Sequence, residues 1–291
     1  MSLTKFDYFA PKRVEEACQL LTEQGDGAMV MAGGTDLLIK IQRGLLKAKA
    51  IIDLQKIESI RDITFKKGKG LFIGATARLT DVANHPVIKE QFPAVADAAL
   101  ATANVQIRNM GTVVGNLCNA APSADNAPVL IAMGAVVTLV SSDGERQVPL
   151  EEFFQGPGLT VINKGEILTS VFVPIPPQNS GTSYQHISAR GKVDISAVGV
   201  GAMLTMKGDL CQTARIVLGA VAPVPMRALK AEKIVEGNPI SKEILEKAGV
   251  EASKECEPIS DVRAAAEYRK ILVGVLTARA IDEATKRAFK K

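Results

Sequence analysis

The stretch Ala28-Met29-Val30-Met31-Ala32-Gly33-Gly34-Thr35-Asp36 runs an apolar strand into a two-glycine turn and then into small polar residues suited to a helix start. A second stretch, Arg108-Asn109-Met110-Gly111-Thr112-Val113-Val114-Gly115-Asn116, reads as another glycine turn that ends a strand. Glycine lets the backbone approach a ligand that any Cβ would block. Successive N–H groups in such turns converge on negative oxygens without help from basic side chains. A helix N-terminus adds partial positive charge. Taken singly, Gly33 to Asp36 is as readily a plain turn with Thr35 or Asp36 as N-cap. Two such turns in the first half of one chain point to a nucleotide cofactor. Gly-x-Gly-x-x-Gly is missing and no Gly-Lys-Ser/Thr follows, so neither a Rossmann fingerprint nor a P-loop is present.

Around the first turn the pattern is βαβ-like. A helix is predicted over Val14 to Gln24, strands over Ala28 to Ala32 and Ala50 to Leu54, and a short helix from Asp36 to Arg43, stopped by Gly44. Beyond Glu58 strands dominate. Ile60 to Lys66 pairs with Gly70 to Gly74, Ala135 to Ser141 pairs with Glu145 to Pro149 around Asp143-Gly144, and Glu166 to Pro174 adds a further strand. Helices are expected at Leu79 to Asn84, capped by Thr80 or its neighbour, and at Pro93 to Ala103. Pro174 to Gly181 reads as a boundary. After it come strands over Thr182 to Ser188, Ala197 to Met206 and Ala214 to Ala220. Helices follow at Met226 to Glu236, Lys242 to Ser253 and Val262 to Ala288, the last with Tyr268, Ile271, Leu272, Val275 and Leu276 as a packing face. The sum is α+β, divided as 1–55, 56–176 and 181–291.

Composition narrows the function. Only 4% of residues are aromatic and tryptophan is absent, which argues against stacking on single-stranded nucleic acid. The 35 basic residues against 31 acidic ones are scattered, apart from Lys66, Lys67 and Lys69 at a hairpin tip, leaving no nucleic-acid or membrane patch. The most apolar run, Pro128 to Val140, is too short to span a bilayer and reads as a helix end followed by a core strand. Cys18, Cys118, Cys211 and Cys256 are too far apart to suggest zinc or iron–sulfur ligation, and a reduced, cytoplasmic protein is expected. No Ser-His-Asp set stands out, which suits a protein whose chemistry belongs to a cofactor.

The second turn continues into Leu117-Cys118-Asn119-Ala120-Ala121-Pro122-Ser123-Ala124-Asp125-Asn126-Ala127-Pro128, a small, polar stretch typical of a binding loop, in which Asp125 could equally cap a helix. Together the segments resemble the FAD-binding medium subunit of the molybdenum hydroxylases, the group of xanthine and carbon monoxide dehydrogenases. The matching motifs are Ala32-Gly33-Gly34-Thr35-Asp36-Leu37-Leu38, Gln106 to Asn116 except at one site, Asn119 to Asp125, and Gly165-Glu166-Ile167-Leu168. They continue with Leu218-Gly219-Ala220-Val221-Ala222-Pro223, Pro258 to Arg263 and Tyr268-Arg269, covering nearly the whole chain in order.

The resemblance implies a PCMH-like FAD-binding region of two mixed-sheet subdomains and a C-terminal α+β domain with an antiparallel sheet. FAD would lie between the subdomains. Met31, Ala32, Gly33, Gly34, Thr35, Asp36 and Leu37, with Gly111, Thr112, Val114, Gly115 and Asn116, would hold its diphosphate and ribityl chain. Asp125 would accept hydrogen bonds from FAD hydroxyls, Leu168 would pack near a ring system, and Thr102 and His186 are further cofactor-site candidates. No metal ligand is expected in this chain. The implied partners are a large molybdenum-cofactor subunit and a small subunit with two [2Fe-2S] clusters, assembled as a dimer of heterotrimers, with NAD or another acceptor taking the electrons. A scaffold subunit without flavin and a freestanding FAD oxidoreductase are the alternatives.

Two positions depart from the family pattern. Val114 stands where a glycine is usual, and with negative φ it would narrow the approach to phosphate. His186 stands where many relatives place a lysine near the flavin. It is either a tuning residue there or a strand histidine bonded to a neighbour. At Gly33, a valine would push its side chain toward the diphosphate.

Overall fold

The computed structural model describes residues 5–191 and 194–290. Strands β1 (Asp7–Phe9), β2 (Ala28–Met31) and β3 (Ala50–Asp53) form a parallel sheet of order β1-β3-β2. Helix α1 (Val14–Gln24) connects the first two strands, and α2 (Leu37–Gln42) follows the glycine turn. Met31 is in register with Asp53, so Gly33 and Gly34 lie just past the carboxyl end of the sheet. Ligands of parallel sheets bind beyond that end.

The second sheet joins β4 (Ile63–Lys66), β5 (Gly70–Gly74), β6 (Val136–Ser141) and β7 (Gly144–Pro149), in the order β4-β5-β10-β6-β7, with β10 (Ile167–Pro174) at its centre. A small hairpin, β8 (Phe154–Gly156) and β9 (Leu159–Thr160), lies between β7 and β10 in the chain. Six helices separate β5 from β6: α3 (Leu79–Asn84), α4 (Pro86–Gln91), α5 (Pro93–Ala101), α6 (Val105–Arg108), α7 (Val113–Cys118) and α8 (Asn126–Ala132). Alanines dominate the buried face of α5, so it sits close to its neighbours. The apolar residues of α8 and β6 complete one core with the inward residues of β5 and β10.

The third sheet is antiparallel, β11 (Ser180–Ser188), β12 (Ser196–Lys207), β13 (Leu210–Gly219) and β14 (Met226–Arg227), backed by α9 (Leu229–Val235), α10 (Lys242–Glu255) and α11 (Ala266–Phe289). Glycines let it meet the rest of the molecule. A Cβ at Gly201 would lie 2.6 Å from the Pro128 carbonyl carbon, and one at Gly219 would lie 2.8 Å from Pro128 Cγ. Bare backbone on this face therefore seats the start of α8. Arg287 closes the contact elsewhere, donating to Asp97 (2.8 Å) and to the Thr182 carbonyl (3.2 Å).

The α+β expectation holds, and several local readings need correction. The stretch ahead of Gly111 is the helical turn α6, not a strand, so the second glycine turn links two short helices. Thr80 lies inside α3 and its hydroxyl donates to Asn109 Oδ1 at 2.7 Å; Arg78 holds the cap position without a side-chain bond. Met226 and Arg227 pair with β13, delaying the helix to Leu229. On α11 only Leu272 and Leu276 of the expected packing face are buried, whereas Tyr268, Ile271 and Val275 are exposed.

Candidate functional site

The turn after β2 is shaped by two glycines with different tasks. Gly34 has φ +70°, a left-handed conformation that glycine adopts without cost. Gly33 needs its missing side chain for a different reason: a Cβ there would run into the Met110 carbonyl and lie 2.7 Å from Gly111 Cα. The two glycine turns thus touch backbone to backbone. This corrects the sequence expectation that a side chain at 33 would point at a diphosphate; it would instead wedge the turns apart. Gln55 steadies the first turn by donating to the Ala32 carbonyl at 2.9 Å. Among the described residues, the amides of Gly33, Gly34, Thr35, Asp36 and Leu37 donate no hydrogen bond.

The second turn is pinned from both sides. Leu79 N–H donates to the Gly111 carbonyl at 2.9 Å, and Thr112 Oγ1 caps α7 by accepting from Gly115 N–H at 2.8 Å. Behind it, Asn126 Nδ2 donates to Asn116 Oδ1 (3.0 Å) and Thr102 Oγ1 (3.1 Å), while the Thr102 hydroxyl donates to the Ala98 carbonyl. Lys40 Nζ donates to Asn119 Oδ1 at 2.6 Å, and Asn119 Nδ2 donates to Asp36 Oδ1 at 3.1 Å, tying α2 to the loop after α7. Ala103, Ala120 and Ala220 have φ of +48°, +46° and +64°. Such conformations are strained for alanine and persist only where surroundings impose them. Arg108 holds the first through the Ala103 carbonyl (2.8 Å). Gly158 N–H donates to the Ala120 carbonyl (2.9 Å), and Ala220 N–H donates to the Pro122 carbonyl (2.7 Å).

Between these pieces lies a cleft of about 520 Å³. Its walls include Met31, Ala32, Gly33, Gly34, Thr35, Asp36 and Leu37, then Thr102, Gly111, Thr112, Gly115, Asn116 and Asp125. Three expected residues do not line it. Val114 is 3% exposed inside α7, has no positive φ, and packs into the core, so it neither strains nor narrows the cleft. Leu168, also 3% exposed, faces the core from β10 beside Leu139. His186 stands on β11 outside the walls, stacked on Tyr184.

The walls also hold residues that sequence reasoning did not single out. Lys40 is their sole lysine or arginine among the described residues, and it lies on α2, four residues after the N-cap Asp36. Asp194 and Ile195, from the connection between β11 and β12, make a third wall that no local pattern could announce.

Asp125 begins α8, yet its side chain does not cap the helix. Its Oδ1 accepts from Tyr184 Oη at 2.7 Å and from Ser196 Oγ at 2.6 Å. Burial pushes this carboxyl above the ordinary carboxylate range, opposed by the two hydroxyl hydrogen bonds, and burial pushes the Tyr184 phenol well above its usual value.

The donor set suits a flavin dinucleotide. Five consecutive unpaired amides and one lysine fit an extended diphosphate, an acceptor carboxylate fits hydroxyls or ring N–H groups, and Leu46, Leu79, Ile107 and Ile195 offer apolar surface for rings.

Comparison with known proteins agrees. Residues 4–176 match the FAD binding domain in molybdopterin dehydrogenase, and residues 183–284 match the CO dehydrogenase flavoprotein C-terminal domain. The chain is 34% identical to the carbon monoxide dehydrogenase medium chain of Afipia carboxidovorans, over 97% of this chain and 98% of that one. It is 31% identical to a xanthine dehydrogenase FAD-binding subunit of Escherichia coli, over 95% of each. The solved carbon monoxide dehydrogenase of Hydrogenophaga pseudoflava superposes with a TM-score of 0.94 at 31% identity, covering 99% of both chains. With two family domains in order along its length, the chain belongs to the FAD-binding medium subunits of the molybdenum hydroxylases, FAD-dependent oxidoreductase subunits.

Proposed function

We propose that this chain is the electron-transfer flavoprotein subunit of a molybdenum-containing dehydrogenase or hydroxylase, working with a large molybdenum-cofactor subunit and a small subunit that carries two [2Fe-2S] clusters, in a dimer of heterotrimers in the cytoplasm. When bound, FAD supplies an electron carrier that accepts electrons from iron–sulfur clusters and yields them to NAD or another acceptor. The chain's own residues hold it and control access. Gly33 to Leu37 would present amides to the pyrophosphate, with Lys40 balancing charge. Thr112, Gly115 and Asn116 would hold the opposite side of the diphosphate and ribityl region, and Asp125 would accept from cofactor hydroxyl or ring N–H groups. Thr102, buried behind Asn116, would keep that wall in place. Residues 1–55 and 56–176 would act as the two subdomains that close on the cofactor, and residues 181–291 would supply the third wall.

The observation that carries this reading is the run of unpaired amides after β2, on residues that line a cleft completed by a second glycine turn. Among the described residues, no helix is long and apolar enough to cross a membrane. Purification of the complex from its native host tests the assignment. The expected result is flavin in equimolar amount with this chain, together with partner chains that carry molybdenum and iron–sulfur centres. Flavin-free preparations, or partners without such centres, would overturn it.

A further inference from the structure

Asp125 belongs to a chain of hydrogen bonds that leaves the cleft. Its Oδ1 accepts from the Ser196 hydroxyl at 2.6 Å, and Ser196 Oγ lies 3.3 Å from His186 Nδ1. The single hydroxyl hydrogen of Ser196 goes to Asp125, so Nδ1 must carry the hydrogen that His186 shares with Ser196. The imidazole lies parallel to the Tyr184 ring, 6° between planes with centroids 5.6 Å apart, and the Tyr184 hydroxyl gives Asp125 a second donor at 2.7 Å. Asp125 and Ser196 are buried, while His186 is half-buried. Among the described residues, no other side chain bonds Asp125 Oδ2.

The strands are shaped to build this chain. Tyr184 and His186 are two apart on β11 and so share one face. A shift of register between Ile187 and Ser188 brings Ser196 level with the end of β11. A Cβ at Gly199 would sit 2.7 Å from the Tyr184 hydroxyl oxygen, so glycine there leaves room for the phenol to reach Asp125. Among the described residues of the β11–β12 connection, the charged side chains Arg190 and Asp194 pair with each other at 3.1 Å. If a fixed carboxylate were all that the cleft required, Tyr184 would suffice to hold it. The additional hydroxyl extends the network to an imidazole, the side chain that exchanges protons near neutral pH.

We propose that Asp125, Ser196 and His186 form a proton relay between solvent and the cofactor cleft. The relay rests on FAD being the occupant, because a flavin reduced by one-electron donors of the iron–sulfur class must also gain protons. One passage moves one proton and no electrons. The His186 imidazolium gives its Nδ1 proton to Ser196 Oγ as the Ser196 hydroxyl proton passes to Asp125. A half-turn of the resulting carboxylic acid presents that proton to the cleft. Release of the proton restores the carboxylate, the Ser196 hydroxyl turns back toward Asp125, and the half-buried imidazole, left with hydrogen on Nε2 alone, turns to solvent to take up a new proton at Nδ1. Tyr184 acts as a positioning residue that keeps Asp125 in reach.

The test uses the full chain reconstituted with FAD and compares Ser196→Ala, Ser196→Thr and His186→Ala with the unaltered protein. Flavin content is measured first. The rate of flavin bleaching by reduced methyl viologen is then followed in H2O and D2O. The unaltered chain should react more slowly in D2O. Ser196→Ala should keep its flavin and react about 100-fold more slowly, the scale of a lost general acid. Ser196→Thr should restore the rate, and added imidazole should rescue His186→Ala, which a purely structural role would not allow. An unchanged rate in flavin-loaded Ser196→Ala, or no isotope effect in the unaltered chain, overturns the relay. So does loss of flavin from Ser196→Ala, which would make the serine a support for the cofactor. If the unaltered chain takes up no flavin, the FAD reading itself falls, and the relay with it.

Discussion

Replacing Gly33 with alanine separates the contact between the two turns from every other contribution to the site. The added Cβ would meet the Met110 carbonyl and stand 2.7 Å from Gly111 Cα, both backbone atoms of a segment pinned by Leu79 and Thr112. Carbon atoms rest at about 3.5–4.0 Å, so the turns must open by roughly 1 Å. Strain from such overpacking costs about 1–3 kcal/mol of stability, which a folded chain of this size can absorb. Cofactor affinity should suffer more. If opening takes two amides out of reach of the pyrophosphate, each charge-assisted hydrogen bond forfeits about 1.5–3 kcal/mol. Together that is roughly 3–6 kcal/mol, or about 10²–10⁴ in Kd. Flavin absorbance per chain and titration by flavin fluorescence quenching measure the loss, and circular dichroism checks the fold. Gly156→Ala is the control, because a Cβ there meets nothing closer than Leu159 Cδ1 at 3.7 Å. Full flavin occupancy and unchanged affinity in Gly33→Ala would show that contact between the turns does not shape the cofactor site.

Three further outcomes follow from named interactions. Glu166 accepts from Arg146 Nε (2.6 Å), Arg146 Nη2 (2.8 Å) and Asn163 N–H (2.6 Å), with the Arg146 hydrogen bond foremost in lowering its carboxyl from 4.5 to about 2. The stabilisation is complete above pH 4.5 and fades as pH falls toward 2, so the stability gap between the unaltered chain and Glu166→Gln should shrink over that window in acid denaturation; a constant gap would contradict it. Ala220 has φ +64°. Ala220→Gly relieves about 1–3 kcal/mol of strain and loses about 0.5–1 kcal/mol to glycine's unfolded freedom, so the denaturant midpoint should rise. A fall would mean that the loop is relaxed as it stands. Desolvation in the cleft wall, where Cys118 is half-buried, pushes its thiol up to about 12, so iodoacetamide at pH 8 should label it roughly 1,000-fold more slowly than an unperturbed cysteine, and labelling at the ordinary rate would contradict a raised thiol.

The sequence disclosed the sheets far better than the cleft. Strands such as β10 and β12 carry long apolar runs, and the Asp143-Gly144 turn sets its hairpin by local chemistry, so their positions need no distant information. The second glycine turn reads in sequence as the end of a strand because α6 and α7 have only 4 and 6 residues, too short for a helical period to emerge. The place of Val114 in its motif suggests a cleft residue, yet the helix turns its side chain into the core. Gly33 reads in sequence as a close approach to a ligand, whereas the atoms a side chain there would meet are backbone atoms of Met110 and Gly111. Lys40 was legible in principle, one helical turn beyond Asp36. Asp194, Ile195 and the link from Asp125 through Ser196 to His186 depend on how the third sheet meets α8. That meeting is decided by glycines on β12 and β13 whose contacts lie far away in the chain.

A crystal structure of the chain grown with FAD tests the central claim most directly. The pyrophosphate should lie within hydrogen-bonding distance of amides between Gly33 and Leu37, with the second turn on its far side and Asp125 contacting the cofactor. FAD bound elsewhere on the molecule, or a pyrophosphate gripped by basic side chains away from that run of amides, would contradict the account.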